Sequence, residues 1–239
     1  MKTKLLYHQN SFTYECTAKV VAVEGDEIAL DATVFYPGGG GQMADRGIIS
    51  WDNQRSQTNV IAMNKRNDVV WHTLDCIPPI VGTEVVGSID WDFRYRMMRT
   101  HTALHLLCGI IWRDFGIQVT GGQMYPDRAR MDFSMENLDK GRITEIEQKV
   151  NEAIETDYPI RVYHLPREKA FEIPDLVRTR INLLPPDIEE VRIVEIVGLD
   201  LQADGGTHVN HTSEVGGIKI VKTENKGRIN KRLEIVLVD

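Results

Sequence analysis

A change in the spacing of apolar residues near position 90 constrains the fold of this chain most. Before it, from Ser11 to about Ser88, apolar residues occur in short runs that Gly, Pro, Asn and Asp interrupt. Short strands with turns about every eight to twelve residues are typical of a small barrel. After Asp90, apolar residues recur at three- and four-residue spacing until Gly116, which predicts a long helix. We therefore expect two domains, residues 1–89 and 90–239.

The second half alternates strand-like and helix-like segments. A helix is predicted from about Lys140 to Thr156, with Asn137 or Asp139 as its N-cap. A short helix within polar loops is expected over 166–186. Strands are predicted at 118–120, 129–134, 160–164, 191–197, 217–222 and 231–238. The expected fold is α+β: a small N-terminal β-barrel followed by a two-layer α/β domain with an antiparallel sheet.

Charge and composition exclude several classes of protein. The chain has 35 acidic against 28 basic residues and a net charge of −7, which excludes a generally basic nucleic-acid coat. Its apolar runs are shorter than the roughly 18 residues that a membrane span needs. The N-terminus turns polar too early for a secretory signal, and Cys16, Cys76 and Cys108 lie far apart. We expect a cytoplasmic protein with reduced thiols and no membrane partner.

Two histidines lie four residues apart on the predicted long helix. His101 and His105 would project from one helix face about one turn apart, where both imidazoles can reach one cation. Histidines at this spacing also occur as structural or exposed residues, so the pair alone does not establish a metal site.

A second acid and histidine cluster follows a predicted strand. Asp204 and His208 flank a Gly-Gly-Thr segment, and His211 lies three residues later. The glycines allow a tight loop around a ligand, although Asp-Gly is also a common turn dipeptide. The two clusters together favour a zinc site with an open position. His208 is preferred over His211 as a ligand because the glycines precede it closely.

Four consecutive glycines, residues 38–41, precede Gln42 in the barrel segment. Their backbone N–H groups could bind a phosphate, a carboxylate or a base edge, or the segment could be a simple turn. It lacks the lysine and hydroxyl residue of a P-loop, and no helical pattern follows, so nucleoside triphosphate binding is excluded.

Three motifs, in this order, resemble those of a known family. They are Phe-Tyr-Pro-Gly-Gly-Gly-Gly-Gln-Met-Ala-Asp-Arg-Gly at 35–47, Arg-Thr-His-Thr-Ala-Leu-His-Leu-Leu at 99–107 and Ala-Asp-Gly-Gly-Thr-His-Val at 203–209. Supporting matches are Gly-Gly-Gln at 121–123 and Gly-Gly-Ile-Lys-Ile-Val-Lys at 216–222. The chain is similar to the free-standing alanyl-tRNA editing proteins of the AlaX type and to the editing domain of alanyl-tRNA synthetase.

The resemblance implies a trans-editing hydrolase that acts on mischarged alanine tRNA. It implies one zinc ion per chain and hydrolysis of the ester that joins serine or glycine to the acceptor end of that tRNA. The catalytic and metal-binding residues would be His101, His105, Asp204 and His208. The substrate-binding candidates are Thr33, Gly39, Gly40, Gly41, Gln42, Gln123 and Thr207. Among these, we expect Thr33, Gln42 and Gln123 to read the amino-acid side chain, because a hydroxyl is distinguished best by a hydrogen bond.

Two positions depart from the family pattern. Asp204 stands where the synthetase has a cysteine, and a carboxylate in place of a thiolate would accept manganese or cobalt more readily. Thr100 stands where the family often has asparagine. Two alternatives stay open: a non-catalytic zinc-containing tRNA-binding module, and editing of another mischarged tRNA, such as threonine tRNA carrying serine.

Local groups of basic residues offer contacts for tRNA despite the acidic total. They lie at Arg94, Arg96 and Arg99, at Arg128 and Arg130, and between Lys219 and Arg232. Such groups can equally form a solvated charged face. If they bind RNA, we expect them to contact the acceptor stem.

Overall fold

The computed structural model describes residues 2–176 and 188–238. The chain divides into two compact units, Met1–Arg96 and Met97–Asp239. The division falls inside a long helix, and the domain ranges 1–89 and 90–239 remain a prediction. Within the described residues, no helix is both long and apolar enough to cross a membrane.

The described residues of the first unit form eight strands and one short helix, besides the start of a long helix given below. The strands are β1 (Lys4–Leu5), β2 (Glu15–Glu24), β3 (Glu27–Leu30), β4 (Ala32–Thr33), β5 (Gly47–Trp51), β6 (Ser56–Arg66), β7 (Val69–Leu74) and β8 (Glu84–Ile89). The helix α1 spans Leu6–Gln9. Six strands close into a barrel in the order β2-β3-β7-β6-β5-β8, and all six pairings are antiparallel. The two short strands β1 and β4 pair in parallel outside the barrel.

Alternating side chains of these strands fill the first unit's core. The fully buried members include Ile28, Leu30, Ile49 and Leu74, and Phe35 from the segment after β4 packs among them. Successive residues of a strand point to opposite faces, and on the other face of β3 and β7 the side chains of Ala29, Val69 and Trp71 form a second buried cluster. The short apolar runs seen in the sequence therefore correspond to barrel strands, as predicted.

In the part of the second unit that the structure describes, two antiparallel sheets are combined with three helices. Its strands are β9 (Val119–Met124), β10 (Arg128–Phe133), β11 (Ile160–Pro166), β12 (Glu190–Ile196), β13 (Asp200–Ala203), β14 (Gly217–Asn225) and β15 (Lys231–Val238). One sheet has the order β14-β15-β10-β9 and the other the order β11-β12-β13. The helices are α2 (Trp91–Phe115), which begins in the first unit, α3 (Lys140–Glu155) and α4 (Arg167–Phe171). A 3-10 turn spans Thr212–Val215.

Local signals set the ends of the two longer helices. Asp139 caps α3 by accepting a hydrogen bond from the Arg142 N–H, so it is the N-cap of the two candidates. Helix α2 ends before Gly116, whose φ of +65° lies in the left-handed region that glycine adopts most easily. Helix α3 buries Ile146, Val150, Ala153 and Ile154 on one face, as its spacing predicts.

The predicted fold class is confirmed: a closed antiparallel barrel precedes an α+β unit with antiparallel sheets. Strand β13 (Asp200–Ala203) was not among the predicted strands. Of the short helix expected within 166–186, the structure contains α4, and residues 177–186 lie outside the described residues.

Candidate metal centre

Helix α2 supplies two imidazoles to a buried cluster in the second unit. His101 and His105 lie one helical turn apart, with ring centroids 5.0 Å from each other. Their relative exposures are only 4% and 5%. Because Leu104 and Leu107 on the same helix are also buried, the helix packs inside the unit with both histidines turned inward.

The loop after β13 supplies the other two members. Its first residue, Asp204, is fixed to β12 by its N–H, which donates to the Arg192 carbonyl at 3.1 Å. The Gly206 N–H donates to Asp204 Oδ1 at 2.7 Å, which turns the loop back on its own carboxylate. His208 follows and is 3% exposed. The turn thus brings an acid and an imidazole four residues apart to the same point.

The four side chains converge around the Asp204 carboxylate. His208 Nε2 lies 3.1 Å from Asp204 Oδ1, and His101 Nε2 lies 3.5 Å from Oδ2. His105 Nε2 lies 3.9 Å from the same Oδ2. One ligand atom from each of the four residues lies within 4.8 Å of the others. The structure therefore brings together the four residues proposed from the sequence as metal ligands.

His211, the alternative ligand, lies elsewhere. Its Nδ1 is 3.4 Å from Asp157 Oδ1, and both side chains are half exposed. The preference for His208 agrees with this placement.

Burial and mutual contact set the protonation of the cluster. Burial lowers the pKa of His101 and His208, in the case of His208 well below its usual value. Burial would also lower the pKa of His105, but contacts with Asp200 and Asp204 outweigh it and raise that pKa to about 9. Although burial opposes ionisation of Asp204, the three histidines hold its pKa well below the usual value. Asp204 is therefore a carboxylate at neutral pH, beside two neutral imidazoles.

Three further residues contact the cluster and were not singled out from the sequence. Asp200 Oδ2 lies 3.6 Å from His105 Nδ1, and the Thr102 hydroxyl lies 3.2 Å from His208 Nδ1. Arg192 Nη1 donates to the Asp204 carbonyl at 2.9 Å. If β13 had been predicted, the alternation of side chains along a strand would have placed Asp200 on the same face as Asp204. Nothing in the sequence around Arg192 signals its role.

The donor set of the cluster fits a divalent metal. Three imidazole nitrogens and one carboxylate oxygen form a mixed nitrogen and oxygen donor set of the kind that would bind zinc. Histidines bind metals as neutral imidazoles and aspartate as a carboxylate, which are the forms that the pKa values of His101, His208 and Asp204 favour. A largely enclosed carboxylate surrounded by three imidazoles is hard to explain by packing alone, because polar groups removed from water are costly without strong partners.

Two substrate-binding candidates lie in the second unit. Thr207 is fully buried and precedes His208 in the loop. Gln123 is half-buried on β9, where it pairs with Arg130 of β10. Thr207 is therefore next to the metal cluster in sequence, whereas Gln123 belongs to the four-stranded sheet.

The glycine motif of the first unit forms a tight turn. Gly39 and Gln42 exchange two backbone hydrogen bonds of 3.1 and 2.9 Å across Gly40 and Gly41. Both central residues have positive φ, +57° and +87°, a conformation that requires residues such as glycine. The N–H groups of Gly39 and Gln42 are thus used within the turn. Gln42 itself is buried at 3% exposure.

Thr33 is buried at the end of β4 and hydrogen-bonded inside the first unit. Its hydroxyl lies 2.9 Å from His72 Nε2 and accepts from the Phe35 N–H at 3.2 Å. His72 Nδ1 lies 3.4 Å from the Ile28 carbonyl, so this nitrogen carries the ring proton and Nε2 accepts from Thr33. Burial lowers the pKa of His72 to about 4, which keeps the ring neutral.

The structure places two of the basic residues that were candidates for tRNA contact against internal acceptors. Arg94 is fully buried, and its Nε donates to Asp45 Oδ1 at 2.9 Å within the first unit. The guanidinium of Arg99 donates to the Val215 carbonyl within the second unit. The suggestion that Arg94 contacts tRNA is therefore wrong, because its guanidinium is buried against internal acceptors, whereas the half-buried Arg99 stays a candidate.

Family models match both halves of the chain. The model described as the threonyl and alanyl tRNA synthetase second additional domain matches residues 191–234, which include Asp204 and His208. The model described as tRNA synthetases class II (A) matches residues 3–93, which include the barrel.

Individual relatives align along nearly the whole chain. A protein of Saccharolobus solfataricus named alanyl-tRNA editing protein AlaX-M is 42% identical over 234 residues, which cover 97% of each chain. One of the same name from Methanosarcina barkeri is 39% identical, over 99% of this chain and 100% of that one. The alanine–tRNA ligase of Hyperthermus butylicus is 37% identical over 98% of this chain, but only 25% of the ligase is covered. The similarity thus extends well beyond the three motifs.

Proposed function

Because the chain belongs to the family of alanyl-tRNA editing proteins, we propose that it hydrolyses the ester joining serine or glycine to the acceptor end of alanine tRNA. The observation that carries this proposal is the convergence of His101, His105, Asp204 and His208 on one buried point. Hydrolysis of an activated ester mainly requires a placed water and a stabilised oxyanion, and such a cluster can supply both.

We assign His101, His105 and His208 as ligands of one zinc ion, with Asp204 as the fourth. When bound, zinc polarises a carbonyl oxygen and lowers the pKa of a coordinated water toward 7. The Gly206 N–H holds Asp204 Oδ1, so Oδ2, which faces both helix histidines, is the oxygen better placed to be a ligand. Cys108 is buried on the same helix and has a packing role.

Discrimination against alanine requires recognition of the serine hydroxyl. A site that hydrogen-bonds a hydroxyl leaves its own polar group unpaired when alanine is bound, which disfavours alanine strongly. We propose Thr33, Gln42 and Gln123 for this role. The Thr33 hydroxyl donates a hydrogen bond to His72 Nε2 and accepts one from the Phe35 N–H, which leaves a second lone pair to accept from serine.

The remaining substrate contacts come from the turn and from the loop next to the ligands. We propose that Gly39, Gly40 and Gly41 approach the acceptor end closely, since glycines expose backbone groups. We propose that Thr207 binds substrate beside His208. The partner is alanine tRNA, and the protein acts in the cytoplasm, where aminoacyl-tRNA is made and used.

Deacylation assays test the proposal directly. Alanine tRNA charged with serine, glycine or alanine is incubated with the protein before and after treatment with a chelator, and again after zinc is restored. We expect cleavage of the seryl and glycyl esters, sparing of the alanyl ester, loss of activity with chelator and recovery with zinc.

Other outcomes would separate the rival functions. Binding of alanine tRNA without cleavage of any ester would indicate a non-catalytic module with a structural metal. Cleavage of serine from threonine tRNA in preference to alanine tRNA would assign the protein to a different editing reaction. Activity that persists after the metal has been removed would contradict the role of zinc.

A further inference from the structure

The second ring nitrogen of His105 faces a carboxylate that lies outside the metal cluster. His105 Nε2 points to the Asp204 side, at 3.9 Å from Oδ2, whereas Nδ1 lies 3.6 Å from Asp200 Oδ2. We propose that Asp200 is a positioning residue that orients the His105 ring toward the metal. This inference rests on the proposed metal function.

The chemistry of imidazole gives this contact a direction. A neutral histidine carries one ring proton, and the nitrogen without it is the metal ligand. A carboxylate beside Nδ1 holds the proton there, which leaves the lone pair of Nε2 for the metal. Asp200 therefore selects both the tautomer and the ring orientation of His105.

The surrounding structure fixes the Asp200 carboxylate in place. Asp200 is 5% exposed and begins β13, where it pairs with Ile196 of β12. The Gln202 amide donates to Asp200 Oδ2 at 2.6 Å. Because strand residues two apart share a face, Gln202 reaches the same side of β13 as Asp200. The acid is thus held by its backbone and by a neighbouring side chain.

Helix α2 is shaped to admit this acid. Gly109 follows His105 by four residues and so lies on the same helix face. A Cβ atom at Gly109 would come 2.8 Å from Asp200 Cβ and 3.1 Å from Asp200 Cγ, closer than packed atoms normally approach. The absence of a side chain at position 109 therefore allows β13 to bring its carboxylate against the turn of helix that carries His105.

Zinc affinity tests the inference. Purified full-length protein is stripped of metal and titrated with zinc in competition with a chromophoric chelator. We expect Asp200→Ala to weaken zinc binding by roughly 10- to 100-fold, the usual effect of losing an outer partner of a metal-binding histidine. Asp200→Asn preserves the shape and an acceptor oxygen but removes the charge, so its loss should be smaller.

A second histidine and aspartate pair provides a matched control. Asp157 lies 3.4 Å from His211 Nδ1, outside the metal cluster, and Asp157→Ala removes a carboxylate of the same kind. We expect this variant to bind zinc as the unchanged protein does. An equal loss in Asp157→Ala and Asp200→Ala would attribute the effect to general destabilisation and overturn the inference.

The tautomer of His105 gives a readout that does not depend on stability. In nitrogen-15 NMR of the zinc-loaded protein, we expect His105 to be protonated at Nδ1, and this state to be lost or mixed in Asp200→Ala. Unchanged zinc affinity together with an unchanged His105 tautomer would overturn the inference while leaving the proposed metal function intact. If the protein without any substitution binds no zinc, the proposed metal function is wrong, and so is the inference.

Discussion

Each unit of the protein holds an aspartate among nitrogen-containing side chains, and the two sites differ in what surrounds the acid. In the first unit, Asp45 accepts from the Arg94 guanidinium and from the Tyr36 N–H at 2.6 Å. In the second, Asp204 lies among three imidazoles at 3.1 to 3.9 Å. The Asp45 and Arg94 side chains are completely buried, whereas 18% of the Asp204 side chain is exposed.

The difference determines what each site can do. Arginine stays protonated in proteins and offers no lone pair, so the Asp45 pair cannot exchange its cation for a metal. Imidazoles lose their proton near neutral pH and then offer a lone pair. An aspartate beside a guanidinium therefore serves the fold, whereas an aspartate beside histidines can also take part in binding a metal.

We expect the largest effect when a substitution removes an imidazole from the second site. We expect His105→Ala to weaken zinc binding strongly. The loss of affinity should exceed the roughly 100-fold that can follow when a residue beside a metal ligand is removed. Asp204→Ala should weaken binding less, because a water can replace one carboxylate oxygen. Metal analysis of the purified variants, with a chelator titration, measures both. A His105→Ala protein that retains full zinc, or an Asp204→Ala protein that loses all of it, would contradict this ranking.

The next effect concerns the first site and appears in stability. Asp45→Ala leaves the buried Arg94 charge without its carboxylate, so we expect the free energy of unfolding to fall by about 3–5 kcal/mol. Lys65→Ala removes one partner of an exposed ion pair at 3.2 Å and should cost less than about 1 kcal/mol. Denaturant unfolding of both variants gives the comparison. Equal small losses would show that the Asp45 pair is not a structural element.

The two sites also differ in how far the sequence could predict them. His101 and His105, and likewise Asp204 and His208, lie four residues apart, so helix geometry and a short glycine loop suffice to align each pair. Asp45 and Arg94 are 49 positions apart, and their pairing depends on the tertiary fold. Arg94 consequently looked like one of several surface cations.

Asp200 shows a similar limit at shorter range. Its approach to His105 requires β13, a strand of four residues with a buried start and otherwise half-buried positions. Such a short segment carries little periodic signal, so the strand was not predicted. The helix ends at Asp139 and Gly116 were predictable because capping chemistry is local.

His72 of the first unit adds a third site to the comparison. It is a buried histidine that contacts the Thr33 hydroxyl and the Ile28 carbonyl rather than a carboxylate. Burial lowers the pKa of His72 from 6.5 to about 4. Between these two values the unfolded chain binds a proton that the native state does not, so stability falls as the pH decreases. Summed over this window, the loss is about 3 kcal/mol.

The measurement compares the unchanged protein with His72→Gln. Urea unfolding at pH 7 and at pH 4 gives the change in free energy for each protein, and the difference between the two changes isolates His72. We expect the acid-dependent loss to be smaller in His72→Gln by about 3 kcal/mol. The same loss in both proteins would show that His72 is not held neutral by burial.

The smallest expected effect tests whether the first unit contributes selectivity as well as structure. Thr33→Val preserves the shape of the side chain and removes the hydroxyl that contacts His72 and the Phe35 N–H. If Thr33 also accepts a hydrogen bond from the serine hydroxyl, the rate of seryl-tRNA cleavage should fall by about 5- to 150-fold. This range corresponds to a loss of roughly 1–3 kcal/mol of interaction free energy. Glycyl-tRNA cleavage should change little, because glycine has no hydroxyl.

The ratio of seryl to glycyl cleavage separates this role from damage to the fold. Loss of the contact with His72 destabilises the first unit, and that would depress both rates together. Thr33→Ser retains a hydroxyl and serves as the matched variant, so its ratio should stay close to that of the unchanged protein. An unchanged ratio in Thr33→Val would remove Thr33 from the residues that read the amino acid and leave Gln42 and Gln123 as the remaining candidates.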